Sequence, residues 1–165
     1  MKRFKKIIKY LGIVILLLIF FRGFLYRMSI NYSTVRSREN ISLTDEKLIL
    51  QINEQIENKI LNIEQIIKLS NSITSEQLNF TFGKASANPN ALSELEKANC
   101  IGYSALFNSI GNYIIRKQNV ADQYAFVHLI GKLDVFGYDI HSLFDSPFFK
   151  DHDFNEIQYL SLIHI

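Results

Sequence analysis

An uncharged apolar run at residues 10–21 constrains the fold more than any other feature of the sequence. It reads YLGIVILLLIFF. The run extends to about residues 7–26 if Lys9 and Arg22 lie near its two ends and reach toward water. A helix of about 20 residues crosses the roughly 30 Å hydrocarbon core of a bilayer. The sequence therefore predicts a transmembrane helix over residues 7–26, with the lipid bilayer as its partner.

The charges around this run predict its orientation. Such a cationic flank stays on the cytoplasmic side of a membrane, and here it comprises Lys2, Arg3, Lys5, Lys6 and Lys9. The run is followed by RGFLYRMSINY, whereas a cleaved signal peptide ends at small residues. We favour an uncleaved signal anchor at residues 1–27 over a cleaved signal. The remainder would then lie on the non-cytoplasmic side, periplasmic or extracellular, although Arg22 and Arg27 reduce the charge asymmetry.

The part of the chain after the anchor is acidic. The whole sequence has a net charge of +2, but residues 1–27 hold seven of the 18 basic side chains and no acidic one. The remainder has 11 basic and 16 acidic side chains, which gives a net charge of −5. Because nucleic acid is attracted by basic surfaces, we expect no nucleic-acid partner.

Helical patterns come first after the anchor. Residues 28–43 are polar and read as a juxtamembrane linker. Thr44 is a candidate N-cap for a helix with one apolar face, formed by Leu48, Ile52, Ile56, Ile60, Ile63 and Ile67. A break is expected at residues 70–72, and Thr74-Ser-Glu-Gln77 resembles a capping box that begins a second helix. A helical turn is predicted over residues 91–97 and a central apolar helix over residues 100–116.

Strand patterns follow the helices. Residues 123–136 are rich in β-branched and aromatic side chains, and residues 153–159 alternate between polar and apolar. Gly137 and Asp139 indicate a turn or bulge between these strands. Helices first and antiparallel strands later are typical of an α+β domain. The sequence therefore predicts one α+β domain over residues 44–159.

The only cysteine, Cys100, begins the expected central helix in the segment NCIGYSALF. A single cysteine excludes an intramolecular disulfide. The unpaired N–H groups and the positive dipole end at a helix start stabilise a thiolate and an oxyanion. A thiolate nucleophile also needs an imidazole as base and acid. Cys100 is therefore a candidate nucleophile, and a buried structural cysteine is the alternative.

Two motifs resemble the signatures of the transglutaminase-like superfamily of papain-fold cysteine enzymes. The signature Cys-x-Gly-Tyr-(Ala/Ser) is matched by Cys100, Gly102, Tyr103 and Ser104. The signature His-x-aromatic-Asn-Glu-Val is matched by His152-Asp-Phe-Asn-Glu-Ile157. The resemblance implies a papain-like fold in which Cys100 attacks an amide or ester carbonyl and His152 moves the proton, with no cofactor. It also implies an orienting Asp on the strand after His152, which would lie beyond Tyr159.

Other side chains offer alternatives to this assignment. His128, in the strand segment VHLIGKL, is a rival base, although a lone histidine on an apolar strand is commonly a core residue. His141 lies near Asp139 and Asp145 in sequence, but their irregular spacing gives little support to a metal site, and no metal is expected. Tyr103 would either donate a hydrogen bond near the thiolate or pack in the core.

The last six residues, LSLIHI at positions 160–165, match a translation of the mosaic end of a transposon used to prepare sequencing libraries. We therefore expect the authentic sequence to stop near Tyr159, with a natural apolar strand as the alternative. His164 would then have no function. A domain truncated there would lack the orienting Asp and would leave a sheet edge unpaired, so this chain is expected to be inactive.

These features together predict a membrane-anchored transglutaminase-like cysteine enzyme in truncated form. It would be a cysteine protease, an amidase or an acyltransferase that acts on a peptide or cell-wall-like amide through a thioester on Cys100. The alternative is a non-catalytic binding or assembly domain of the same fold on a membrane anchor.

Overall fold

The computed structural model describes residues 2–145, 149 and 152–160, and its elements form a mixed α+β chain. The described helices are α1 (Lys2–Phe20), α2 (Arg22–Ser29), α3 (Glu46–Ile56), α4 (Ile63–Gln77), α5 (Pro89–Leu95) and α6 (Cys100–Lys117). The described strands are β1 (Ile30–Ser37), β2 (Asn79–Phe80), β3 (Lys97–Ala98), β4 (Tyr124–Val135), β5 (Tyr138–Asp139) and β6 (His152–Tyr159). The chain divides into two compact units. One draws on Met1–Ser33 and Lys132–Lys150, and the other on Thr34–Gly131 and Asp151–Ile165.

The N-terminal apolar segment forms two helices rather than the single helix expected over residues 7–26. Helix α1 ends at Phe20, and α2 begins at Arg22. Among the described residues, no single helix is both long and apolar enough to cross a membrane. The helices Lys6–Phe20 and Arg22–Ser29 meet these criteria as a pair, with a bend of 69° between them.

A tight hairpin belongs to the same unit as α1 and α2. The end of β4 pairs with β5 through Val135 opposite Tyr138 and Asp134 opposite Asp139. The two loop residues, Phe136 and Gly137, have φ angles of 52° and 81°. Two consecutive positive φ angles define a type I′ turn, whose twist matches that of the flanking strands. The turn predicted at Gly137 is thereby confirmed.

Two helices, α3 and α4, replace the one long helix expected from the apolar stripe. Leu48, Ile52 and Ile56 are buried in α3, but Ile60 is 98% exposed between the two helices. Asn62 begins α4 with a capping box, in which its side chain accepts from Gln65 N and the Gln65 side chain accepts from Asn62 N. The chain therefore breaks where a strong N-cap competes with the apolar periodicity.

The break and capping box expected within residues 70–77 are wrong, because α4 continues to Gln77. Ser70 and Thr74 are both buried in the middle of the helix. The Thr74 hydroxyl donates to the Ser70 carbonyl at 2.7 Å. This local bond satisfies the hydroxyl inside the helix, so Thr74 does not act as a cap.

Helix α6 is the centre of the second unit, as the sequence predicts. Its side chains Leu106, Ile110 and Ile114 are fully buried, and they pack in a cluster with residues of α3, α4 and β4. A Cβ added at Gly111 would lie 2.5 Å from the ring of Phe126. Glycine is therefore required where α6 crosses β4, because any side chain at this position would meet a buried ring.

Strand β4 is the central strand of a four-stranded sheet and pairs with β1, β5 and β6. Its pairing with β6 is antiparallel and runs from Tyr124 opposite Tyr159 to Gly131 opposite His152. Strands were predicted at both places. By contrast, the expected linker at residues 28–43 contains β1. This strand was not predicted because most of its side chains are exposed and many are polar. A small parallel pair, β2 with β3, precedes α6.

Candidate functional site

Cys100 is the first residue of α6, and its surroundings hold the start of the helix in place. The Asn99 side chain caps the helix by accepting from Ile101 N at 3.1 Å. Its amide group also donates to the Gly83 carbonyl at 3.3 Å. Cys100 is partly exposed and is not in a disulfide. Cys100 thus lies, partly exposed, at the capped N-terminus of α6.

Gly102 has a packing role that explains its place in the motif. A Cβ at this position would lie 2.7 Å from Cβ of Ala98 and 3.0 Å from the carbonyl oxygen of Ser86. The loop before α5 and the end of β3 therefore approach the first turn of α6 closely. The glycine lets these segments surround the cysteine-bearing end of the helix.

His152 is the first residue of β6, and this strand begins beside the first turns of α6. The Ser104 hydroxyl, one turn after Cys100, donates to the Asp153 carbonyl at 2.9 Å. The Asn155 side chain donates to the Ser104 carbonyl at 2.8 Å. Two bonds thus fix the strand that carries His152 against the helix that carries Cys100.

The two predicted catalytic side chains are nevertheless not in contact. Successive side chains of a strand point to opposite faces. Asp153 is buried and Asn155 bonds to α6, whereas His152 is exposed on the opposite face of β6. No hydrogen bond joins Cys100 to His152 in the described part of the chain. The assignment of His152 as the base therefore stays a prediction.

His128, the rival base, is part of a buried ionic network. Its Nε2 lies 2.7 Å from Oδ2 of Asp153, and both side chains are almost completely buried. Arg38 donates to the same carboxylate from Nε at 2.5 Å and from Nη2 at 3.2 Å. This cluster, which we call the Asp153 network, connects the residue after β1 with β4 and β6.

The network keeps Asp153 ionised. Burial disfavours the charged carboxylate, but the hydrogen bonds from His128 and Arg38 and the positive charge of Arg38 outweigh that effect. Together they hold the pKa of Asp153 below its ordinary value. An ionised carboxylate in this position fixes the orientation of the His128 ring, as in a catalytic His–Asp pair.

The network lies deeper along α6 than the thiol does. His128 is paired with Asn155, which contacts Ser104 and Asn108. These two helical residues follow Cys100 by one and two turns, or about 6 and 12 Å along a helix axis at 1.5 Å per residue. The His128 imidazole therefore has a fixed orientation, but it lies beside a part of α6 that comes after the turn carrying the Cys100 sulfur.

Sequence reasoning missed Asp153 and Arg38. In the motif, Asp153 directly follows His152, and a carboxylate next in the same strand cannot orient that ring. Its partner lies on the adjacent strand, and an antiparallel register for residues 124–131 and 152–159 would have identified it. Arg38 lies in the segment expected to be a linker and carries no comparable sequence signal.

A cavity of about 340 Å³ lies beside the Asp153 network. Its walls include Arg38, Ile41, Pro89, Asn108, His128 and Ile130. The Asn108 side chain is fully used, because Nδ2 donates to the Phe126 carbonyl and to Asn155, and Oδ1 accepts from Asn112. The cavity thus combines an apolar wall with a rigid polar floor, as small-molecule sites commonly do.

The Tyr103 hydroxyl has a structural partner and does not donate to the Cys100 sulfur. The hydroxyl donates to the Leu78 carbonyl at 2.6 Å and so connects α6 to the end of α4. We expect Tyr103→Phe to lower the free energy of unfolding by about 1 kcal/mol, the usual contribution of one hydrogen bond. Urea denaturation would measure this loss. Alkylation of Cys100 should keep its rate, and a slower reaction would instead support a role beside the thiolate.

Two of the three residues of the alternative metal site, Asp139 and His141, have hydrogen-bond partners of their own. Asp139 accepts from Lys132 Nζ at 2.7 Å and from His141 N at 2.9 Å. The bond from Lys132 lowers the pKa of Asp139, and the His141 N–H contributes in the same direction. His141 Nδ1 lies 2.6 Å from the Phe149 carbonyl. Within the described ranges, no three His, Cys, Asp or Glu side chains form a group suited to a metal ion.

Residues 161–165 of the predicted terminal segment, which include His164, lie outside the described residues. Comparison with known proteins gives no match to a family model, to a curated protein or to a solved structure.

Proposed function

We propose that this chain is a membrane-anchored, transglutaminase-like cysteine enzyme that hydrolyses an amide or transfers its acyl group. One observation carries the proposal. The sole cysteine begins the central helix, and the strand that starts at His152 is bonded beside the first turns of that helix through Ser104 and Asp153. The order of helix, cysteine, strand and histidine is the one that the sequence motifs imply.

The proposed chemistry needs no group other than side chains and backbone. His152 would take the proton of Cys100, and the thiolate would attack the carbonyl carbon of a peptide or cell-wall-like amide. The amine would leave with the proton from His152, which gives an acyl thioester on Cys100. Water would then hydrolyse the thioester, or a second amine would accept the acyl group. The N–H groups at the start of α6 suit the oxyanion.

The separation of the two side chains defines what the enzyme must still do. His152 is exposed and is the first residue of its strand. Catalysis would require its ring to turn toward Cys100, and we infer that bound substrate recruits the ring there.

Exposed apolar side chains support the membrane part of the proposal. The side chains of α1 from Ile7 to Phe20 lie on the surface, including Ile15, Leu16 and Ile19. Such a continuous apolar surface suits a lipid environment and is unfavourable in water. With the cationic residues before it on the cytoplasmic side, Cys100 would face the periplasm or the exterior.

Alkylation of Cys100 tests the catalytic pair. A free thiol is only a few per cent ionised at neutral pH, so pairing with an imidazole should raise the rate by about 10-fold. We expect iodoacetamide to react with Cys100 in the detergent-solubilised protein, and His152→Ala to remove that gain. His141→Ala is the matched control and should react like the parent protein. Equal rates in all three proteins would refute the pairing.

A second candidate is a non-catalytic binding domain on the same anchor. It is favoured by the 340 Å³ cavity beside the buried Asp153 network, because that network is rigid and lies away from the thiol. In this case Cys100 would react as an ordinary thiol in every variant. A ligand would instead protect the cavity residues, and its binding would raise the melting temperature.

A further inference from the structure

Residues 136–143, which comprise the β4–β5 turn, β5 and the 3₁₀ helix after it and are called the hairpin tip below, carry large exposed apolar side chains. Phe136 is 72% exposed, Tyr138 78% and Leu143 79%. Phe136 and Tyr138 are in and beside the turn, and Leu143 ends the short 3₁₀ helix that follows β5. Three such side chains close together in sequence are unfavourable in water and suit an apolar partner.

The tip is bonded to the end of the apolar helix pair. The Phe136 N–H donates to the carbonyl of Ser29, the last residue of α2, at 2.6 Å. Both residues belong to the same compact unit. Helix α2 also exposes Phe24, Tyr26 and Met28. The hairpin tip thus lies where the chain leaves the apolar segment, and its aromatic residues add to those of α2.

The backbone of the turn is costly for the residue that occupies it. Phe136 has a φ of 52°, a left-handed conformation that asparagine, aspartate and glycine adopt most readily. The first loop position of a type I′ turn is usually one of these residues. A bulky ring that is exposed here stabilises neither the turn nor the core. An outlier of this kind is typical of a functional position.

We propose that this hairpin tip is a second membrane contact, which inserts Phe136, Tyr138 and Leu143 into the interfacial layer of the leaflet that α2 leaves. The proposal rests on the membrane anchoring proposed above. A Tyr side chain is favourable at the level of the lipid headgroups because its ring is apolar and its hydroxyl is polar, and the Phe and Leu side chains add apolar area. The anchor and the hairpin would then hold the chain at two points.

Charges near the tip identify the kind of lipid surface. Asp134 and Asp139 face each other at the base of the hairpin, and Lys132 pairs with Asp139. Among the described residues, an ion pair is found for Asp139 and none for Asp134. A surface of this sign does not require anionic lipid, so we infer contact with zwitterionic phospholipid headgroups.

Depth-dependent fluorescence quenching tests the proposal on the full chain. With Cys100 replaced by serine, single cysteines at Leu16, Tyr138 and Ile60 would carry a fluorophore in phosphatidylcholine vesicles. We expect nitroxide near the bilayer centre to quench the Leu16 probe, and nitroxide near the headgroups to quench the Tyr138 probe. The Ile60 probe, at a position 98% exposed in the other unit, should respond only to aqueous iodide.

The three probes distinguish the membrane anchor from the hairpin contact. Quenching of Leu16 by lipid, with Tyr138 responding only to iodide like Ile60, would overturn the hairpin contact and leave the anchor intact. A Leu16 probe quenched by iodide alone would overturn the anchor and the hairpin contact together.

Phe136→Asn provides a second test, in which stability and membrane contact are expected to respond differently. Asparagine followed by Gly137 is the preferred type I′ sequence, so the melting temperature in detergent should not fall. Headgroup-nitroxide quenching at Tyr138 should fall at least twofold, because the inserted ring is lost. A lower melting temperature with unchanged quenching would assign Phe136 to folding and reject its membrane role.

Discussion

Asp153→Asn is expected to lower the free energy of unfolding by about 3 kcal/mol at pH 7, at the lower end of the cost of breaking a buried ion pair. The substitution preserves shape but removes the charge that Arg38 and His128 contact at 2.5 and 2.7 Å. Arg38 is 30% exposed in its side chain and regains some hydration, so the loss should not reach the upper end. Urea denaturation of both proteins measures it.

The loss should depend on pH in a defined direction. The folded-state pKa of Asp153 lies below its ordinary value, so its ionised form stabilises the fold above the unfolded pKa of about 3.9. That contribution disappears as the pH falls through the lower, folded-state pKa. The difference between parent and variant should therefore be constant near neutrality and shrink below about pH 4.

Asp139→Asn is the matched control, because Asp139 also has a lowered pKa and a cationic partner, Lys132. That pair is partly exposed, so water replaces much of the interaction that the substitution removes. We expect a far smaller change than for Asp153→Asn. Equal losses for the two variants would show that burial does not govern the Asp153 network.

Gly111→Ala is expected to lower the free energy of unfolding by about 2 kcal/mol, although alanine is the better helix former. Its Cβ would lie 2.5–2.7 Å from three atoms of the Phe126 ring. Phe126 is completely buried, so the ring has no free volume into which it can move. Thermal and urea denaturation would both report the loss.

A double-mutant cycle identifies the cause. If the clash with the ring is responsible, Gly111→Ala should cost much less in the Phe126→Leu background than in the parent protein. The same cost in both backgrounds would place the strain elsewhere in α6.

The elements that sequence predicted well are those whose own pattern decides them. Helix α6 and strands β4 and β6 lie within one or two residues of their predicted bounds, because apolar runs in α6 and β4 and polar–apolar alternation in β6 have no strong competing caps. The failures occurred where short-range polar bonds overrode periodicity. Asn62 began a helix inside the apolar stripe, and Thr74 bonded back to Ser70 rather than starting one.

The candidate site divides in the same way. The position of Cys100 at a helix start was predicted from the apolar residues after it, and the structure shows that Asn99 caps this start. The facing direction of His152 depends on the register of β6 against β4, which no local pattern determines. The Asp153 network depends on three segments that are distant in sequence, so neither its members nor their charge state followed from any one of them.

The Arg38–Asp153 bond joins residues 115 positions apart, and this separation has a consequence for the order of events during synthesis. Ribosomes add roughly 5–20 residues per second, so Arg38 emerges on the order of 10 s before its carboxylate exists. During that interval β4 has no β6 beside it, and neither Arg38 nor His128 has its hydrogen-bond partner. Contacts with such large loop-closure distances form late. The second unit is therefore expected to complete its fold only after β6 has been synthesised, with the nascent chain exposed to chaperones or proteases until the carboxylate is in place.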